Sequence, residues 1–280
     1  MKKILVFGDL NKKKIHDSVC ELKSWLDSRV VAEIVDLSKR ESVGKNNAEM
    51  ALVFGGDGAI LSTCRTLGRN QIPILGVHMG RFGFLAELME KNVRVLLEKI
   101  LTGNYQVRKR MLLLCHVRRA GKIIIESTAI NDAVISRSSL SRLISIKLLI
   151  NGEDVATYRA DGLIVSTPLG STAHSLSAGG PVLTPDLNAF VVVPICPHTL
   201  TNRPLVVSGN VKIEMELLSQ LSGTGFTVDG QVFTELETGD TVTVERSDIE
   251  IQMVDTGTRT FYGVLREKLN WGGQPNYGRN

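Results

Sequence analysis

Four short apolar runs crowd the first eighty residues: KILVFG (3–8), VVAEIVDL (30–37), MALVFGG (50–56) and IPILGVH (72–78). Each ends at or next to a Gly, Asp or His and is mostly apolar, the pattern of a strand buried on both faces. Between them, residues 13–27, 58–69 and about 91–102 carry helical spacing, the middle one placing Ile60, Leu61, Cys64 and Leu67 on one face. Strands that alternate with helices bury both their faces as a parallel sheet covered by those helices. The spacing therefore predicts an α/β domain.

The texture changes near residue 105. LLLCHV, KIIIEST, DAVISR, LISIKLLI, GLIVSTP, FVVVPI, VKIEMEL, FTVDGQVF, DTVTVE and IEIQMV follow one another with few helical segments between them. Asn151-Gly152 and Asp229-Gly230 are dipeptides of tight hairpins. GSTAHSLSAGG (170–180) reads as a loop opening a short helix, and FYGVLREKLNWGG, from residue 261, as a last helix. The expected organisation is an N-terminal α/β domain with a parallel sheet over residues 1–105, rejoined by the tail 259–280, and an all-β C-terminal domain over 106–258. With 280 residues and 43% apolar content, the chain can fill two cores.

Charge and cysteine usage narrow the function classes. The net charge is +4, the basic residues are dispersed and aromatics make up 5%, so the basic stripe with interleaved rings of a nucleic-acid binder is missing. A modest positive bias suits an anionic small molecule. Cys20, Cys64, Cys115 and Cys196 lie far apart with no CxxC pair, which argues against a zinc site or a disulfide framework and predicts buried, reduced thiols. MKKILVFGDL lacks the long apolar core of a signal peptide and no run reaches 18 apolar residues, so the expectation is a cytoplasmic protein with no membrane partner.

The chemistry points to FGGDGAILS (54–62), where Gly55, Gly56 and Gly58 surround Asp57 between a strand and a helix. Backbone amides at a helix N-terminus attract phosphate, and glycines let its oxygens approach closely. An aspartate there repels phosphate unless it holds Mg²⁺ or faces a hydroxyl whose proton it removes. The plainer alternative is an Asp that caps the following helix. GxxxxGK[ST] occurs nowhere, and FGDLNKK stands where a GxGxxG fingerprint would follow the first strand.

GGDG after a strand resembles the phosphofructokinase, diacylglycerol kinase and NAD kinase superfamily. AINDAVISR (129–137), RADGLIVSTPLGSTAHSLSAGGP (159–181), PICPHTLTNRPLVV (194–207) and VDGQ (228–231) resemble the NAD kinase family in order and spacing, over almost the whole chain. The resemblance implies an enzyme that passes a phosphoryl group from ATP, or polyphosphate, to the 2′-hydroxyl of the adenosine ribose of NAD. Asp57 matches the family's proton acceptor, Gly58 lies against the ligand, and Gly55, Gly56 and Gly58 form the phosphate-donor loop. Asn131 and Asp132 match an Asn-Asp or Asn-Glu pair that meets the adenine and ribose, though an Asx turn explains either residue alone.

Thr172, Ala173, His174, Ser175, Leu176 and Ser177 match the segment lining the adenine and nicotinamide pockets. Asp161 matches an acceptor for the nicotinamide carboxamide that a neighbouring subunit often supplies, which implies a homodimer or homotetramer. Arg142 and Arg159 match basic positions near the ligand, and Gln231 a ligand-contacting glutamine. Mg²⁺ is expected to arrive with the nucleotide, with no direct protein cage, and His198 to hold its loop by hydrogen bonds. The family usually reads GGDGT and STPTGSTAYS, so Ala59, Leu169 and His174 depart from it. Two rivals remain at this stage, a GGDG-type lipid or sphingoid kinase and a non-catalytic NAD-binding regulatory protein. Formation of NADP separates them from an NAD kinase.

Overall fold

The computed structural model describes residues 3–39, 43–44, 46–80, 83–86, 88–137, 142–199, 201–219 and 223–272. In chain order its elements are β1 (Lys3–Gly8), α1 (Lys13–Leu26), β2 (Val31–Asp36), β3 (Met50–Phe54), α2 (Asp57–Leu67), β4 (Ile74–His78), β5 (Leu88–Met89), α3 (Val93–Leu101), β6 (Gln106–Arg119), β7 (Lys122–Ala129), β8 (Asp132–Arg137), β9 (Ile144–Ile150) and β10 (Glu153–Ala160). They continue with β11 (Gly162–Ser166), α4 (His174–Ser177), β12 (Ala189–Ile195), β13 (Leu205–Ser208), β14 (Ile213–Leu217), β15 (Thr224–Val228), β16 (Val232–Glu235), β17 (Thr241–Asp255) and α5 (Phe261–Leu269). The chain divides into two compact units, Met1–Lys109 with Gln252–Asn280, and Arg110–Ile251.

In the first unit the strands run β2-β1-β3-β4, all parallel, and β5 adds to β4. Ile4, Leu5, Val6 and Phe7, like Met50, Ala51, Leu52 and Val53, are fully buried, which is why these strands read as unbroken apolar runs. Among the described residues β2 pairs with β1 alone, and it alternates exposed and buried at its start. Helix α1 buries Ile15, Val19, Leu22 and Leu26, one per turn, and α2 buries Ile60, Leu61, Cys64 and Leu67, the face expected from the spacing. Each such side chain contributes about 1.5–3 kcal/mol on burial. The tail is tied in by Met253, which pairs in parallel with Ile74, and by an ion pair from Arg108 to the buried Asp255. Helix α5 starts at a Thr260 cap, whose hydroxyl accepts from the Gly263 amide at 3.1 Å.

The second unit is antiparallel. One set of strands follows the order β10-β9-β14-β17, with β6 and β7 as a hairpin, and a six-stranded sheet runs β13-β12-β11-β8-β15-β16. Their shared core includes Leu113, Ile135, Ile146, Leu163, Phe190, Met215, Phe226 and Val242. The β9–β10 turn has Asn151 and Gly152 at φ +52° and +81°, and the β15–β16 turn has Asp229 and Gly230 at +51° and +62°. Paired positive φ is what a two-residue hairpin demands, and both dipeptides supply it. One expectation fails: Cys64 and Cys115 are buried, but Cys20 and Cys196 are exposed. Cys20 follows Val19 on α1 and falls outside that helix's buried stripe.

Candidate active site

At the end of β3 the chain turns through the glycine loop into α2. The Gly55 amide donates to the Val77 carbonyl at 2.9 Å, and Gly55 adopts φ +154°. A Cβ at Gly55 would lie 2.5 Å from the Ala59 Cβ, so the loop folds back over its own helix where only glycine fits. Gly56 is the extended N-cap residue, with no side-chain cap, and Asp57 is the first helical residue. The carboxylate of Asp57 therefore does not cap α2 as the plainer reading expected. It turns to the 83–85 segment instead, where Oδ2 accepts from the Phe84 amide at 2.8 Å and Oδ1 from the Leu85 amide at 3.0 Å. Gly56 and Gly58 are exposed and Asp57 is half-buried. A negative side chain in the first turn also suits the helix dipole.

In the second unit the Asn131-Asp132 pair sits where the chain enters β8. Asp132 is 5% exposed and Asn131 half-buried. The turn residue Asp229 reaches across and accepts from three successive amides, Ile130 at 3.1 Å, Asn131 at 2.7 Å and Asp132 at 3.2 Å. Its own amide donates to the Asp132 carbonyl at 2.9 Å. Burial, then the neighbouring Asp229 charge, push the Asp132 carboxyl up to about 7. Burial and both aspartates also raise the Cys115 thiol.

The small-residue segment packs against the same bend. The Asn131 carbonyl accepts from Ser166 Oγ at 3.1 Å and from the Thr167 amide at 2.9 Å. Thr167 Oγ1 donates to the Ile130 carbonyl at 2.6 Å and accepts from the Gly170 amide at 3.0 Å. A Cβ on Gly170 would come within 2.1 Å of the Asn131 carbonyl oxygen, a closeness only bare backbone allows. From there a 3-10 turn, Gly170–Thr172, leads into α4. Thr172, Ala173 and Leu176 are half-buried, His174 and Ser177 exposed, and Ser175 fully buried. Among the described residues the Ser175 hydroxyl has no hydrogen-bond partner. Gln231 is half-buried, its amide donating to the Val228 carbonyl at 2.9 Å.

The remaining candidates gather where β8 ends and β11 begins. Asp161 Oδ1 accepts from Arg137 Nε at 2.8 Å and Nη2 at 2.6 Å, and Arg137 Nη1 donates to the Arg142 carbonyl at 3.3 Å. Arg142 and Arg159 are exposed. The amide of His198 donates to the Arg159 carbonyl at 2.9 Å, so the main chain of that residue holds the loop while its side chain is exposed. Sequence reasoning missed Gly83, Phe84 and Leu85, Arg137, Thr167 and the role of Asp229. The only local signal was the Asp-Gly dipeptide, which marks a turn and is silent about amides some hundred positions away.

A glycine loop between a parallel strand and a helix, without a P-loop lysine and with an acid among its glycines, has the form of the GGDG-type kinases that the sequence resembles. Comparison with known proteins narrows this class. The models for the ATP-NAD kinase N-terminal domain and the ATP-NAD kinase C-terminal domain match residues 6–105 and 130–256. The chain is 40% identical over 286 residues to an NAD kinase of Geobacter metallireducens, covering 97% of this chain and 99% of that one. It is 38% identical over 275 residues to an NAD kinase of Aquifex aeolicus, covering 97% and 100%. Among solved structures, an NAD kinase from Archaeoglobus fulgidus in complex with ATP superposes with a TM-score of 0.72 at 27% identity, covering 97% and 98% of the two chains. A yeast NADH kinase complexed with NADH reaches 0.88 at 23% identity, covering 100% and 90%, a likeness of fold. The chain belongs to the NAD kinase family.

Proposed function

We propose that this chain phosphorylates NAD on the 2′-hydroxyl of its adenosine ribose to form NADP, with ATP as donor and Asp57 as proton acceptor. The observation that carries the reading is the half-buried Asp57 carboxylate, held by two amides at the end of the glycine loop. As the ribose oxygen bonds to the terminal phosphorus, Asp57 takes its proton and the bond from that phosphorus to the bridging oxygen breaks, releasing ADP. The backbone of Gly56 and Gly58 faces the transferring phosphoryl group, where fixed amide dipoles stabilise developing charge, while Gly55, whose amide is taken by the Val77 carbonyl, sets the turn of the loop. Asn131 and Asp132 meet the adenine and ribose. A carboxyl poised near neutrality can both give and accept hydrogen bonds there.

The 172–177 segment lines the ring pockets, and the buried Ser175 hydroxyl is a group that a ligand can satisfy. Asp161, steadied by Arg137, receives the carboxamide, while Arg142, Arg159 and Gln231 supply charge and polar contacts at the rim. Mg²⁺ is proposed to be held by the phosphates of the donor and to offset their charge. No helix among the described residues is long and apolar enough to cross a membrane. A cytoplasmic homodimer or homotetramer is proposed, the assembly resting on the family's use of the Asp161 position across subunits.

The test incubates the chain with NAD, Mg²⁺ and either ATP or polyphosphate and reads NADP with an NADP-specific dehydrogenase. NADP should form with ATP, and the polyphosphate arm settles the donor range. Asp57→Asn should lower kcat by about 10²–10⁴-fold with KM for NAD little changed. Near-normal turnover in that variant overturns the assignment of the base.

A further inference from the structure

The 83–86 segment lies against α2 and β4 more closely than side chains normally permit. A Cβ on Gly83 would fall 1.9 Å from Asp57 Oδ1, 2.3 Å from its Cγ and 2.5 Å from Oδ2, all of them atoms of one carboxylate. A Cβ on Gly76, in β4, would fall 2.9 Å from the Ala86 Cα and 2.7 Å from the Ile60 Cδ1. Two bare positions thus let this stretch settle with Leu85 and Ala86 buried, at 5% and 2% exposure, and with the next two amides aimed at Asp57. Neither glycine has a positive φ, so what they supply is space and not an unusual backbone conformation.

We infer that Gly83 is the positioning residue of the base: it admits the Asp57 carboxylate against the chain so that the Phe84 and Leu85 amides fix its rotamer and leave its remaining lone pairs to the acceptor hydroxyl. This inference rests on the proposed role of Asp57. A carboxylate on a rigid helix start still rotates about its own bonds, and two charge-assisted hydrogen bonds from a packed segment remove that freedom. Misplacement of a base by about 1 Å costs on the order of 10²-fold in rate. A methyl group at Gly83 forces a displacement of that size, because the chain that follows is anchored by the buried Leu85 and Ala86 and the atoms it meets are those of the carboxylate, which is what must yield.

The experiment is a double-mutant cycle on the full-length chain, with kcat and KM for NAD and the thermal midpoint measured for each member. Gly83→Ala should lower kcat by roughly 10²-fold and leave KM for NAD within about threefold. On an Asp57→Ala background, where the clashing atoms are gone, the same change should move neither the residual kcat nor the midpoint. A merely structural glycine would cost as much in both backgrounds, and that result overturns the inference. If Gly83→Ala fails to fold, replacement of the Phe84 amide by an ester removes one hydrogen bond without added bulk and should lower kcat about tenfold or more. Wild-type turnover in the ester variant also overturns it. An inactive Asp57→Ala protein beside a fully active Gly83→Ala protein defeats the positioning role alone, whereas an active Asp57→Ala protein defeats the base itself.

Discussion

Replacing Asp132 by asparagine should change how the stability of this protein depends on pH. In the unfolded chain the carboxyl releases its proton near the ordinary value of 3.8, and in the fold it holds the proton to about 7 because it is buried beside the charged Asp229. Between those values the folded protein binds a proton that the unfolded chain has released. Stability therefore falls as pH rises from about 4 to about 7 and levels off above. A shift of about three units is worth a ceiling of about 4 kcal/mol. Relaxation around the ionised group brings the expected change to on the order of 2 kcal/mol.

Asparagine keeps the shape and cannot ionise, so the variant should lose this slope and exceed the parent in stability at pH 8. His78 acts with the opposite sign, since burial, aided by the Arg259 and Lys268 charges, outweighs the Gly80 backbone hydrogen bond and holds it neutral, and its contribution is lost progressively as pH falls below 6.5. The difference between variant and parent cancels that term. Urea unfolding at steps from pH 4.5 to 8.5 is the assay. Far-ultraviolet circular dichroism is the readout, because Trp25 and Trp271 both lie outside the unit that carries Asp132. Parallel curves for parent and variant would refute the reasoning.

Two further outcomes follow from contacts within the second unit. Gly170→Ala drives a methyl against the Asn131 carbonyl, which is backbone and cannot rotate away, so the variant should lose about 2 kcal/mol and its KM for NAD should rise about tenfold. Steady-state kinetics and a thermal melt check both. Arg119→Met strands Asp240, which is 1% exposed and grips Arg119 through both oxygens; burial raises that carboxyl, but the Arg119 hydrogen bonds and the Glu237 amide bring it below its ordinary value. Loss of the partner should cost about 2–3 kcal/mol at pH 7, measured as a lower urea midpoint. The deficit should shrink as pH falls through the carboxyl range, because protonation relieves the unpaired Asp240 charge in the variant and breaks the ion pair in the parent.

Local pattern carried much of the architecture. The unbroken apolar runs of β1, β3 and β4, the one-sided stripe of α2 and the two hairpin dipeptides all correspond to elements of the fold, because each is decided by residues within a few positions of one another. What the pattern could not show is which distant group satisfies a polar side chain. Asp57 offered a cap or a free base, and the fold gives it two amides 27 and 28 positions on. Asp229 read as a turn, and its three amides lie 97 to 99 positions back. Periodicity did hold an unused signal for Cys20: Ile15, Val19, Leu22 and Leu26 define the buried stripe of α1, and position 20 falls beside it.

These cases share a physical logic that bears on how such a site is built. In the glycine loop, Gly55 is needed for its backbone conformation, and this is the property that marks a phosphate-binding motif. Gly76, Gly83 and Gly170 serve differently: each sits at an ordinary φ and is bare because another chain segment lies where its Cβ would be. Two of the three abut a residue proposed to touch substrate, Gly83 against Asp57 and Gly170 against Asn131. A main chain at that distance can aim amides and carbonyls at a functional side chain with none of the rotamer freedom a second side chain would add. The placement of Asp57 and of Asn131, each within its own unit, is therefore constrained by a glycine outside the phosphate loop, and a methyl added at either one should be felt in turnover or substrate affinity beyond its cost in stability.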